Sequence, residues 1–122
     1  MSDHRALRTY YEAGQYMASL SSTLLLPVSV YVTFMGVAMW RDRRDKADGP
    51  MPLEELAVRT GNTPSSISAQ LRYLGDRYRD GKPGFGLVRT YEHPTNGRMK
   101  TFDLTPRGEA VVEHLKYIHD RE

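Results

Sequence analysis

Ser65, Ser66, Ser68 and Arg72 are the side chains with the most specific chemistry in this sequence. Small hydroxyls and a guanidinium on one short helix are the groups that hydrogen-bond base edges in a major groove. They can act together only if another side of the helix is anchored. Ile67, Leu71 and Leu74, at i, i+4 and i+7, supply that anchor as one apolar stripe. Ser65, Ala69 and Arg72 then lie opposite it, flanked by Ser66, Ser68 and Tyr73. The same serines have no neighbouring base and no elbow sequence, so nucleophilic catalysis is not supported.

The elements needed to hold such a helix are legible on both sides of it. Leu53, Leu56 and Ala57 have helical spacing, and Gly61 is suited to the left-handed conformation that closes a helix. Asn62 or Thr63 caps the next helix, with Pro64 at its first position. Residues 53–74 thus read as a helix-turn-helix, the competing reading being two amphipathic helices buried in a core. Residues 86–91 and 98–104 alternate like strands. Asn96-Gly97 between them predicts the hairpin turn, both residues tolerating positive φ. In the second strand Met99, Thr101 and Asp103 share one face, and Lys100, Phe102 and Leu104 the other. A helix-turn-helix followed by a basic hairpin is a winged helix. The candidate DNA contacts are Thr63, Ser65, Ser66, Ser68, Arg72 and Tyr73 on the helix, with Arg89, Arg98 and Lys100 on the hairpin.

Charge placement agrees. The chain of 122 residues carries a net charge of only +2, but residues 64–100 hold seven Lys/Arg against three acids, or +4, leaving −2 elsewhere. Length and an ordinary composition predict one domain: 1–45 N-terminal helices, 51–105 the winged helix, 106–122 a C-terminal helix. The fold class expected is mainly α with a small β-hairpin wing. Absence of cysteine excludes disulfides and thiol chemistry. His4, His93, His114 and His119 form no recognisable metal site, because His114 and His119 are five apart and no carboxylate completes a set. No cofactor and no enzymatic activity are expected.

Residues 3–24 read as a first helix, capped by Ser2 or Asp3. The uncharged run from Ala13 to Trp40 is long enough to raise a membrane span. Its serines and threonines, and Pro27 in its midst, instead predict a break, then a helix from residue 28 to about 43 burying Val30, Phe34, Val37 and Trp40. The expectation is therefore a cytoplasmic protein with no membrane segment. Residues 41–50 read as a charged connector, and residues 49–52 as a short extended piece that pairs with the wing. In the polar stretch 75–85, Arg77, Arg79 and Lys82 are candidates for phosphate contacts or a plain surface loop. Thr105-Pro106 starts a last helix whose apolar side is Ala110, Val111, His114, Leu115 and Ile118, packing on the first helix or its symmetry mate. Tyrosines and methionines in the first two helices pack a core or line an effector pocket.

This order of elements resembles the MarR (multiple-antibiotic-resistance regulator) family of winged-helix transcription factors. The resemblance is carried by residues 53–74, Gly86-Leu87-Val88, Arg98, Leu104-Thr105 and Gly108, and spans residues 26–115. It implies a homodimer joined through the N- and C-terminal helices, with residues 64–74 in each major groove and Arg98 reaching the minor groove. Three departures stand out. Asn96 occupies the place of the usual wing aspartate, the C-terminal region is short, and residues 75–85 are an insertion. The function expected is a sequence-specific double-stranded DNA-binding regulator, a homodimeric repressor on a pseudo-palindromic operator. Competing readings are a winged helix used for protein–protein interaction and a membrane-tethered DNA-binding protein.

Overall fold

The computed structural model describes residues 4–41, 50–79, 81–94 and 96–121. In chain order the elements are α1 (Arg5–Ala18), α2 (Val28–Trp40), α3 (Leu53–Thr60), α4 (Pro64–Leu74), β1 (Arg77–Arg79), β2 (Lys82–Pro83), β3 (Val88–His93), β4 (Asn96–Leu104) and α5 (Pro106–Arg121). The fold is mainly helical, with β3 and β4 forming an antiparallel wing.

The uncharged run is broken, as Pro27 and the hydroxyl residues imply. α1 ends at Ala18, earlier than expected, because side-chain oxygens compete for the backbone. Ser19 Oγ donates to the Tyr16 carbonyl (2.6 Å), and Ser21 Oγ accepts from the Thr23 and Leu24 amides. Pro27 leads into α2, which ends at Trp40. Val30, Phe34 and Val37 are buried, and Trp40 is half-buried beneath the Arg59 guanidinium. Among the described residues no helix is long and apolar enough to cross a membrane. The expected cap at Ser2 or Asp3 and most of the charged connector lie outside the described residues.

The helix-turn-helix forms as its punctuation requires. Gly61 closes α3 at φ 75°, and Thr63 Oγ1 accepts from the Ser66 amide (3.1 Å) at the start of α4. Leu53, Leu56 and Ala57 of α3 meet Ile67, Leu71 and Leu74 of α4 in one core with Phe34, Val37, Phe85, Leu87, Phe102 and Val111. Gly36 leaves room for the Trp40 ring and for Leu56 of α3, which a Cβ there would approach to 3.0 and 3.2 Å.

The wing differs from expectation in three respects. Its first strand begins at Val88, because Gly86 and Leu87 donate to Gly75 and Leu74 at the end of α4 instead of to β4. The turn is not Asn96-Gly97: His93 pairs with Asn96, so the connection lies two residues earlier and Asn96-Gly97 opens β4. Positive φ among the described residues is confined to Gly61, Gly81 and Gly86. Nor does the root of β4 alternate, for Thr101, Phe102, Asp103 and Leu104 are all buried. The extended piece before α3 does join the wing. Pro52 bridges Thr101, and Thr101 Oγ1 donates to the Met51 carbonyl (2.7 Å).

Thr105 caps α5 by accepting from the Gly108 amide. Val111 and Ile118 are buried, whereas Ala110 and His114, expected on the same side, are exposed. His114 stacks on Tyr16 of α1 with ring centroids 4.1 Å apart, and Arg121 pairs with Glu12. Gly108 seats α5 on the chain leaving α4, because a Cβ there would fall 2.0 Å from the Leu87 carbonyl oxygen. Gly→Ala inside a helix ordinarily gains about 1 kcal/mol. Gly108→Ala should instead cost about 1–3 kcal/mol through the forced shift of backbone. Urea unfolding of the variant and the parent measures this.

Candidate nucleic-acid interface

Burial of Ile67, Leu71 and Leu74 turns the opposite face of α4 outward, leaving Ser65, Ala69 and Arg72 exposed. The wing leaves the domain beside this face. Between them is a cleft of about 170 Å³ that brings Ser68 and Arg72 of α4 together with Arg89 and Lys100 of the wing, with Asp76 at its edge. Four of the predicted residues therefore share one concavity of hydroxyl and cationic character.

The remaining five are placed differently. Ser65 is exposed at the start of α4, its Oγ 3.3 Å from Thr63 Oγ1, which is also the helix cap. Arg98 is exposed on the outer part of β4, beyond the residues that line the cleft. Ser66 is half-buried and engaged inward, donating to Asn62 Oδ1 (3.4 Å) and accepting from Gln70 Nε2 (3.3 Å). Tyr73 is engaged within the protein. Its hydroxyl donates to the Leu25 carbonyl and its ring packs edge-on to Phe85, so it holds α4 to the segment between α1 and α2.

Two sets of residues that hold the interface were not anticipated. Gln70 donates to Asn62 Oδ1 (3.1 Å) and accepts from the fully buried Thr33 hydroxyl (2.5 Å), which ties the start of α4 to α2. Spacing of Asn62, Ser66 and Gln70 at i, i+4 and i+8 is a signal in the sequence for part of this network. Thr33 lies 37 residues from Gln70 and gives no such signal. The second set braces the wing. Arg41 donates to Asp103 (2.6 Å) and Glu109 (2.5 Å), and Arg89 reaches Asp103 at 3.4 Å while lying over the Tyr91 ring. Burial opposes the charge on Arg41, but hydrogen bonds to Glu109 and Asp103 outweigh it and raise its pKa. The Arg89 guanidinium is thus held beside the cleft by a carboxylate that Arg41 also binds.

Several solved structures share this architecture. A MepR mutant of S. aureus, in a structure bound to an oligodeoxyribonucleotide, superposes with a TM-score of 0.61 at 20% identity, over 95% of this chain and 71% of that one. RV1404 of Mycobacterium tuberculosis gives 0.61 at 21% identity, over 97% and 67%. The PcaV transcriptional regulator of Streptomyces coelicolor, in complex with its natural ligand, gives 0.53 at 18%, over 97% and 70%. The fold is the MarR-like winged helix. At these identities the likeness is one of fold. No family model and no curated protein matches the sequence.

Thr33→Val keeps the shape of the buried side chain while removing the donor to Gln70. It should destabilise the protein by about 1–2 kcal/mol, as expected for a buried acceptor left without its partner. Chemical denaturation gives the value, and an unchanged midpoint would remove the network from the account of how α4 is held.

Proposed function

We propose that this protein is a sequence-specific, double-stranded DNA-binding transcriptional regulator that acts as a homodimer. The observation that carries the reading is the cleft itself, where the hydroxyl and guanidinium face of α4 stands against the cations of the wing. Such a helix enters a major groove while the hairpin follows the adjacent backbone. Ser65, Ser68 and Arg72 are assigned to base edges, Arg89 and Lys100 to phosphates, and Arg98 to the minor groove. The DNA-bound MepR structure has the same fold, which supports a nucleic-acid role for this one.

A second copy is supported by the N-terminal region. Leu7, Tyr10 and Tyr11 of α1, with Tyr117 of α5, are large apolar side chains left more than half exposed. Beside them Tyr10, Met17, Leu24, Leu26 and Tyr31 line an open apolar concavity of about 750 Å³. A surface of this kind favours burial against a partner, and a two-fold dimer sets two copies of α4 about 34 Å apart, one duplex turn, on a pseudo-palindromic operator. Occupying a promoter in this way makes the protein a repressor by steric exclusion.

Two measurements test the reading. Arg72→Ala should reduce affinity for the preferred duplex by about 1–3 kcal/mol and blur its sequence preference; selection from a random DNA pool supplies the duplex, and equal preference in parent and variant would sink the assignment. Sedimentation equilibrium of the full chain should return the mass of two copies, and a single-chain mass at all concentrations would remove the palindromic arrangement.

A further inference from the structure

We propose that the β1–β2 hairpin is a second contact to the DNA backbone, separate from the wing and set at the C-terminal end of α4. The inference rests on the DNA-binding reading above. It concerns the insertion at residues 75–85, which a plain connection from α4 to β3 does not require.

The hairpin is built onto the reading helix rather than tethered near it. The Phe85, Gly86 and Leu87 amides donate to the carbonyls of Tyr73, Gly75 and Leu74 at 2.7–3.0 Å, and the Gly84 amide donates to Asp76. Phe85 is buried against Tyr73. Gly84 lies so close to the last turn of α4 that a Cβ would fall 2.3 Å from the Gly75 oxygen and 2.5 Å from that of Tyr73. Whatever position α4 takes on a duplex therefore fixes the base of the hairpin too.

Its outer part carries two cations, Arg79 and Lys82, on either side of Asp80 and Gly81 in the sequence. Arg79 and Lys82 are both exposed and are cross-strand partners in the register of β1 and β2. Gly81, at φ 70°, makes the tight return between them. Asp76 borders both the helix–wing cleft and the hollow formed by Gly81, Lys82 and Pro83, so the cationic end adjoins the surface assigned to the duplex. A phosphate of the flanking backbone is the anion in reach once α4 is seated. In homeodomains the C-terminal end of the recognition helix contacts the backbone.

The test uses the full chain and duplexes recovered from a random-sequence pool by the parent protein. An Arg79→Gln/Lys82→Gln double variant should bind the same sequences more weakly. Its plot of log K against log salt should be shallower by about 0.9 for each phosphate it no longer neutralises, or about 1.8 for both. Arg79→Lys/Lys82→Arg, which retains both charges, should keep the parental slope. Equal slopes for the parent and the Gln variant, with the parent still binding, would overturn the hairpin contact and leave the DNA-binding reading intact. A charge-retaining variant as shallow as the Gln variant would overturn it too, by tracing the change to folding. Failure of the parent to recover any duplex would remove both.

Discussion

The placement of α4 governs everything proposed for this molecule, and it is fixed from both ends and from beneath. At its start, Thr63 caps the helix while Asn62, Ser66 and Gln70 link it to Thr33 of α2. Along its length Ile67, Leu71 and Leu74 are buried. At its close, the returning chain donates amides to the carbonyls of Tyr73 and Leu74 and of the capping Gly75. A helix clamped in this way has little freedom to roll about its axis. Its serine and arginine face is therefore presented by the core instead of by a mobile loop, and presentation by rigid elements keeps a recognition surface in register.

The wing depends on a different kind of force. Its root is buried on both faces, so β4 carries Thr101 and Asp103 into surroundings where their polar atoms need partners. Met51 satisfies Thr101, and Arg41 satisfies Asp103 from the end of α2. Arg41 joins three elements distant in the chain: α2, β4 and the first turn of α5. The Glu109 side of this bridge is exposed, where ion pairs add little. The Asp103 side is nearly enclosed and leaves one carboxylate oxygen directed at Arg89. The cation beside the cleft is positioned by this structural network.

The insertion between α4 and β3 alters the usual proportions of a winged helix without disturbing its core. Phe85 is buried against Tyr73, and Gly84 lets the chain return over the end of α4. The polar residues are thereby displaced outward and the apolar ones retained. An insertion so anchored is held in a fixed position relative to α4.

Much of this was determined by the sequence alone, wherever the determining forces are local. Gly61, Thr63 and Pro64 set the turn of the helix-turn-helix through backbone conformation and capping, and the spacing of Ile67, Leu71 and Leu74 decided which side of α4 turns inward. Pro27 divided the uncharged run for the same reason. Tertiary structure decided what depended on partners far along the chain. Tyr73 sits at a position that helical geometry leaves ambiguous, and the Leu25 carbonyl, 48 residues away, turned it inward. The hairpin turn moved off Asn96-Gly97 because the pairing of His93 with Asn96 outweighed a local turn preference. Thr33 and Asp103 acquired their roles only when Gln70 and Arg41 arrived beside them, since a hydrogen bond between distant residues has no period and leaves no pattern to read.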